Sequence, residues 1–233
     1  MTSFRIPTNI FHITAIENLD SILNCGFLFC KNSMEEMSLH PQNIAHQGIQ
    51  DRRTSVNITV GEGGNLHDYV PFSFAPRSPM LNTIKRGNVN GYANGQENIC
   101  TLVSDVQKIV DSGVNYIFTN GHAIMQPVEF FNSVEDLNQV DWEIFYEDPL
   151  IPRKNGYAKY WDNRHDASKP KWLDRSRRRQ AEFLVHRQLE WQFINEVSVI
   201  NDEKEDIVKK IFENYNIQTT VSVKPEYYFL DNQ

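Results

Sequence analysis

The sequence predicts an α+β fold. Short stretches with the two-residue alternation of strands are mixed irregularly with short stretches of helical spacing, and no internal repeat, low-complexity tract or linker interrupts the 233 residues. A chain of this length buries about 70% of the surface that its unfolded form exposes, enough for a genuine core in a single domain over residues 1–233.

The elements follow in chain order. Residues 4–13 are mostly apolar and lead to His12. Thr14, with Glu17 three positions on, predicts a capping box that opens a helix. Ile16, Leu19, Ile22 and Leu23 form its stripe and Gly26 stops it. Residues 31–65 are polar, with a short helix expected within 43–53 and a turn at Gly61-Glu62-Gly63-Gly64. Residues 67–74 read as a strand carrying a proline. Ser78-Pro79 then starts a helix that runs through Met80, Leu81 and Ile84 to Gly87.

Ser104 with Gln107 predicts a second capping box, before a helix ending near Gly113. A strand at 115–119 and a weak helix after Ser133 come next. In residues 180–187, alternation puts Ala181, Phe183 and Val185 on one face of a strand and Glu182, Leu184 and His186 on the other. A strand at 196–200 precedes the clearest helix, capped by Asp202, with Ile207, Val208, Ile211, Phe212 and Tyr215 at helical spacing. Two strands near 219–223 and 227–230 complete the reading.

The net charge of −7 is unevenly spread. Residues 153–179 carry ten Lys/Arg against three Asp, a net +7, which leaves −14 for the rest. Tyr157, Tyr160, Trp161 and Trp172 lie among those cations. Cations interleaved with rings suit single-stranded nucleic acid, whose phosphates meet the cations while its bases stack. The competing reading is a solvated loop whose rings pack on the core. Either way the segment, roughly residues 150–180, reads as a long loop.

No apolar run approaches the ~20 residues of a membrane helix, and the N-terminus lacks a signal-peptide core, so a cytoplasmic protein without a membrane partner is expected. Cys25, Cys30 and Cys100 follow no metal-ligand spacing; reduced thiols and no metal site are expected. Gly-x-Gly-x-x-Gly, Gly-x4-Gly-Lys-Ser/Thr, His-Glu-x-x-His and Gly-x-Ser-x-Gly are all absent. That argues against dinucleotide dehydrogenases, P-loop NTPases, zinc proteases and α/β-hydrolases.

What remains are polar residues in apolar company. Glu182 lies between Ala181 and Phe183-Leu184-Val185, where a carboxylate needs a partner or a cavity. His12 sits between Phe11 and Ile13, either as a hydrogen-bonded core residue or as a catalytic one. Arg52-Arg53 reads as a solvated pair or a site pair. His67-Asp68 reads as an acid–base pair only if two neighbouring strand residues could share a face. Arg77, ahead of Ser78-Pro79, could join the helix amides in holding a phosphate.

Several blocks together resemble one family. His12-Ile13-Thr14, Ile44-Ala45-His46 with Ile49-Gln50-Asp51-Arg52-Arg53, Leu66-His67-Asp68-Tyr69-Val70-Pro71-Phe72, Pro76-Arg77-Ser78-Pro79-Met80-Leu81 and Arg179-Gln180-Ala181-Glu182-Phe183-Leu184-Val185 are similar to DarT, from about residue 9 to the C-terminus. DarT is the DNA ADP-ribosyltransferase toxin of the DarT–DarG toxin–antitoxin pair. The resemblance implies an ADP-ribosyltransferase fold, a split mixed β-core with surrounding helices. It implies NAD as co-substrate and transfer of ADP-ribose to thymidine N3 in single-stranded DNA. It also implies an antitoxin partner, a DarG-like macrodomain protein that removes the modification.

Carried over residue by residue, Glu182 matches the catalytic glutamate and Arg53 an NAD-site arginine needed for catalysis. His12 and Thr14 match the residues holding the nicotinamide end of NAD, and Arg77 falls in the NAD-cleft block, where it would contact phosphate. The basic loop matches the substrate-recognition loop, so DNA contact is expected at His46, His122, Trp172, Arg175, Arg177 and Arg178. Ser73 departs from the family, which resemblance leads one to expect to carry a bulky aromatic there; Tyr69 or Phe72 is the nearby ring that could replace it against nicotinamide. Transfer to guanine, RNA or protein, an inactive single-stranded DNA-binding module, and a nuclease using His46, His67 and Asp68 stand as alternatives.

Overall fold

The computed structural model describes residues 9–146, 151–153, 156–158 and 174–230. Its frame is a mixed sheet of eight strands: β1 (Asn9–Ala15), β2 (Tyr69–Ser73), β3 (Ile99–Asp105), β4 (Tyr116–Thr119), β5 (Phe130–Phe131), β6 (Glu182–His186), β7 (Glu196–Val199) and β8 (Thr220–Val223). The spatial order is β8-β7-β3-β1-β2-β6-β4-β5. Only β7 and β8 run parallel, and the helix Asp202–Asn214 supplies the crossover that parallel pairing requires. Helices lie around this sheet, the α+β architecture that the sequence predicts.

The sheet is split where it matters for function. β1 pairs with β3 along its whole length, from Asn9 opposite Asp105 to Ala15 opposite Ile99. On its other side it meets β2 only where Phe11 stands opposite Ser73. Beyond that point the two strands diverge, and the backbone edge of β1 faces a gap.

The strand at Glu182 behaves as its alternation predicts. Ala181, Phe183 and Val185 enter the main core, and Leu184 enters a second cluster with Tyr69, Ile117 and Ile58 on the opposite face. Phe183 is fully buried, its ring stacked 5.0 Å from Tyr116. That packing fixes the side of the sheet to which Glu182 must point.

Local signals hold where no tertiary contact competes. Gly26 ends the helix Leu19–Cys25 at φ 74°, its N–H donating to Ile22 O at 2.9 Å. Ser78 caps Pro79–Lys85, its hydroxyl accepting from Leu81 N at 3.2 Å. The helix expected within 43–53 spans Gln47–Thr54. The stretch after Ser133 is the 3-10 segment Val134–Gln139, with Ser133 as its cap.

Other expectations are corrected. Thr14 opens no helix: it belongs to β1, whose ladder with β3 outcompetes a local cap, and a 3-10 turn at Ile16–Asn18 precedes the helix. Ser104 is not a cap either; its buried hydroxyl donates to Phe193 O at 2.7 Å, and Asp105 caps Val106–Asp111 instead. Asn201, not Asp202, caps the long helix by accepting from Lys204 N. His67 and Asp68 lie in a 3-10 turn, Leu66–Asp68, so the strand starts only at Tyr69. Near the end, residues 225–227 form a 3-10 turn rather than the start of a strand, and the buried Tyr228 hydroxyl donates to Ile99 O at 2.8 Å.

The basic segment holds an antiparallel hairpin, Ile151–Arg153 with Gly156–Ala158, and a helical turn at Arg175–Arg178, where a plain loop was expected. Tyr160, Trp161 and Trp172 lie outside the described residues. Among the described residues no helix is long and apolar enough to cross a membrane.

Candidate active site

The split between β1 and β2 opens into a cleft of about 950 Å³, within the range of sites that bury a small-molecule ligand. His12, Thr14, Arg53, His67, Ser73, Arg77, His122 and Glu182 all border it. Residues far apart in sequence meet there because β1, β2 and β6 are neighbours in the sheet while the helix Gln47–Thr54 closes over them.

Glu182 is the first residue of β6, directly opposite Ser73 of β2. Its backbone N–H donates to Thr119 Oγ1 at 2.9 Å, and that hydroxyl donates in turn to Gly121 O at 2.6 Å. Arg53 Nη1 donates to Oε2 at 2.9 Å and to Oε1 at 3.2 Å. Ala123 N–H donates to Oε1 at 3.3 Å. A carboxylate offers about four lone-pair sites. Oε1 has two donors and Oε2 one among the described residues, so Oε2 keeps the greater acceptor capacity. His122 Nδ1 stands 3.8 Å from Oε1, too far for a hydrogen bond.

Arg53 is the inward member of the arginine pair. On Gln47–Thr54, Ile49, Gln50 and Arg53 turn inward while Arg52 stays exposed and donates to Ile124 O at 3.2 Å. Arg53 is 8% exposed, and its Nη2 is buried without a hydrogen-bond partner among the described residues. A guanidinium cannot shed its proton, so this second arm is a fixed donor and positive charge held beside Glu182.

His12 is fixed from the opposite side. Its Nδ1 lies 2.7 Å from Pro71 O. A carbonyl only accepts, so Nδ1 carries the proton and Nε2 presents a lone pair. Burial pushes the imidazole below its ordinary pKa, opposed by the Pro71 hydrogen bond, which keeps the ring neutral near pH 7. Burial likewise holds His122 below its ordinary value; Glu182 pulls it up, and Arg53 and Arg52 push it down.

Thr14 is buried, and its Oγ1 accepts from Asn18 Nδ2 at 3.1 Å. Asn18 also donates to Gln42 O and accepts from Gln42 N, tying the end of β1 to the cleft-lining segment around Gln42. Arg77 borders the cleft just before Pro79–Lys85. Leu81 N–H is already taken by Ser78 and Pro79 has no N–H, so this seven-residue helix adds little to the Arg77 guanidinium. His46 is exposed at the rim, before Gln47–Thr54.

Tyr69 borders the cleft but is largely packed away from it. It is 2% exposed, its hydroxyl donates to Gly63 O at 2.9 Å, and its ring packs with Leu184 and Ile117 and lies 5.2 Å from His186. Phe72 is 1% exposed and belongs to the main core. Phe72 has no ring surface to offer a ligand, and Tyr69 has little, although it borders the cleft. Arg175 is also corrected as a DNA contact: it is 1% exposed and Nη2 donates to Ile144 O at 3.3 Å, so it has no surface to offer a phosphate. Arg177 is 7% exposed, whereas Arg178 is partly exposed and paired with Asp141. His67 and Asp68, which could not act together as strand neighbours, are divided by the turn: Asp68 Oδ2 accepts from Asn65 N and Oδ1 from Asn32.

Sequence reasoning missed Asn18, Thr119, Gly121 and Ala123, which orient the site through small side chains, the Gly121 carbonyl and the Ala123 N–H. The turn signal Asn120-Gly121 directly after a strand was the available clue. Among the described residues no group of three or more His, Cys, Asp or Glu is gathered so as to hold a metal ion.

Known proteins are similar to this chain in sequence and fold. The family model described as "ssDNA thymidine ADP-ribosyltransferase, DarT" matches residues 11–229. The DNA ADP-ribosyl transferase of Thermus sp. (strain 2.9) is 37% identical over 209 residues, 90% of this chain and 89% of that protein. The structure of Thermus sp. 2.9 DarT in complex with ADP-ribosylated ssDNA superposes with a TM-score of 0.82 at 35% identity, covering 96% of this chain and 97% of that one. The same DarT in complex with NAD+ gives a TM-score of 0.77 at 32% identity, covering 97% and 100%.

Proposed function

Because the chain belongs to the DarT family of ssDNA thymidine ADP-ribosyltransferases, and is thus an NAD-dependent DNA ADP-ribosyltransferase, we propose that Glu182 and Arg53 carry the reaction and that thymidine N3 in single-stranded DNA is the acceptor. The observation that supports this most is the buried Arg53–Glu182 pair at the split of the sheet, with acceptor capacity left on Oε2 and a donor left on Nη2.

The reaction breaks the bond between nicotinamide and ribose, and the electron pair leaves with nicotinamide. Positive charge develops on the ribose as in glycoside hydrolysis. Glu182 accepts a hydrogen bond from the ribose 2′-hydroxyl through Oε2, and its negative charge favours the cation. His12 receives a ribose hydroxyl on its Nε2 lone pair. The unpaired edge of β1 near Thr14 offers backbone groups to the carboxamide, and Arg77 meets a phosphate of NAD. The new bond forms from thymine N3 to the ribose C1′, and the N3 proton passes to water as it forms. Arg53 Nη2 stabilises the negative charge arising on the base, a role suited to a group that does not deprotonate.

N3 is hidden by pairing in a duplex, so a single strand avoids an unpairing cost of a few kcal/mol. His46, His122, Arg178 and Trp172 are assigned to the path of that strand. One ADP-ribosyltransferase domain over residues 1–233, acting in the cytoplasm as a toxin restrained by a macrodomain antitoxin, completes the reading.

The test mixes the protein with NAD and a thymidine-containing single-stranded oligonucleotide, beside Glu182→Gln and a thymidine-free oligonucleotide. A band shifted by the mass of ADP-ribose, absent from both controls, is expected. NAD consumption without modified oligonucleotide would move the acceptor to RNA, protein or water.

A further inference from the structure

Arg177 belongs to the basic segment, yet its side chain is turned inward, at 8% exposure. Its Nε donates to Asp174 Oδ2 at 2.5 Å, and Asp174 adopts a left-handed conformation, φ 57°, that Asp tolerates better than most residues. The guanidinium fills the space above Gly121. A Cβ at Gly121 would lie 3.0 Å from Arg177 Cζ and 3.3 Å from Cγ, with Nη1 closer still. Nη1 itself has no hydrogen-bond partner among the described residues. On the other side of the same turn, Arg177 O accepts from His122 N at 2.9 Å.

Arg177 therefore holds the turn by both its side chain and its backbone. That turn delivers the contacts that orient Glu182. Gly121 O accepts from the Thr119 hydroxyl that receives Glu182 N–H, and Ala123 N–H reaches Glu182 Oε1. A cation meant for phosphate keeps its donors in solvent; this one is packed against a glycine whose missing side chain makes room for it.

We propose that Arg177 is a positioning residue for Glu182, acting through the Gly121-His122-Ala123 turn, so that the base of the DNA-recognition segment and the carboxylate are held as one unit. This rests on the reading of Glu182 as the carboxylate of NAD cleavage.

The test is a double-mutant cycle on the full chain with NAD and single-stranded DNA: Gly121→Ala, Arg177→Ala, the double variant, and Arg177→Lys. Gly121 is outside the left-handed region, and the atoms that an alanine meets there belong to one flexible side chain, so the backbone can accept it. Gly121→Ala should lower kcat on the order of a hundredfold, the scale of a ~1 Å misplacement of a reacting group, while KM for NAD stays near its original value. The double variant should be no worse than the poorer single variant, because the methyl group added by Gly121→Ala clashes only while Arg177 is present. Arg177→Lys keeps the charge but lacks the planar fork, and should stay impaired.

A second readout does not depend on turnover. NMR titration of the His122 ring in NAD-free protein should show its pKa rising towards about 6.5 in Gly121→Ala and Arg177→Ala, as the turn loosens into solvent. If Gly121→Ala does not fold, Arg177→Ala compared with Arg177→Lys decides the same point. Unchanged kcat in Gly121→Ala, multiplying effects in the double variant, or Arg177→Lys restoring turnover with only a salt-dependent change in DNA affinity would each overturn the proposal. An active Glu182→Gln would instead overturn the reading of Glu182, and the His122 titration would still report whether the turn is held.

Discussion

Arg53 Nη1 lies 2.9 Å from Oε2 and 3.2 Å from Oε1 of Glu182, across 129 positions of sequence, and both side chains are about nine-tenths buried. The helix Gln47–Thr54 is thereby pinned onto the first residue of β6. Such a pair adds little net stability, because two charges have left water to form it. Removing one partner is another matter, since the survivor stays buried and unpaired.

Glu182→Ala and Arg53→Ala should therefore each cost about 3 kcal/mol of unfolding free energy, and the double variant less than the two together. Glu182→Gln keeps a hydrogen-bonding partner for Arg53 and should fold nearly as well while losing transfer. Denaturant unfolding beside the oligonucleotide gel separates these effects. Should Glu182→Gln unfold as readily as Glu182→Ala while retaining transfer, the carboxylate would be structural.

The contrast between Glu182 and Arg53 shows what the sequence could reveal. Glu182 stood out because strict alternation around it put Phe183 and Val185 in the core, which left the carboxylate on the opposite face. Arg53 had no such signature: the helix Gln47–Thr54 is polar nearly throughout, and only tertiary packing distinguishes Arg53 from the exposed Arg52. β3 escaped notice because residues 99–104 are all buried, and a strand covered on both faces shows no alternation. Caps at Thr14 and Ser104 were read from local pattern and lost to the β1–β3 ladder and to Phe193 O. The split of the sheet, which makes the cleft, is a matter of register between distant strands, and its one mark in the sequence is Pro71, which has no N–H to give a neighbouring strand.

Ser73 offers a gain of function. It stands opposite both Phe11 and Glu182 in the sheet and borders the cleft, while Phe72 lies in the core and Tyr69, also at the cleft, is almost fully buried. A ring introduced by Ser73→Tyr would enter the cleft and is expected to stack on nicotinamide, a contact of about 0.5–1.5 kcal/mol. The KM for NAD should then fall about two- to tenfold with the reaction unchanged. A KM that rises would mean that the ring blocks the nicotinamide position rather than lining it.

Acid should destabilise the fold well above the carboxylate range. Burial, with Lys31 and Arg53 nearby, pushes His67 down to about 4, and burial also lowers His12, His122 and His186. The unfolded chain takes up these protons near pH 6.5, so between that value and about 4 it binds more protons at His67 than the folded chain does. Stability therefore rises with pH across this window, is complete above it, and is lost as pH falls. The unfolding temperature should drop steadily between about pH 6.5 and pH 4, and His67→Gln should flatten that slope. A slope unaltered by His67→Gln would assign the loss to the other histidines.

Of the arginines in the helical turn Arg175–Arg178, Arg178 is the one that is not buried, and DNA contact is proposed for it. Its side chain is 24% exposed and paired with Asp141, itself 30% exposed. An ion pair this open is worth little, so a phosphate can compete for the guanidinium. Arg178→Ala should weaken single-stranded DNA binding and reduce the slope of log affinity against log salt by about 0.7, the share of one phosphate contact. Asp141→Asn removes one competing partner and should strengthen binding at low salt. Charge reversal at Arg177 would not test DNA contact, because a glutamate there breaks the packing over Gly121. Fluorescence anisotropy with a labelled thymidine-containing strand, titrated at several salt concentrations, measures both slopes; an Arg178→Ala slope equal to that of the unaltered protein would place the phosphate path away from this turn.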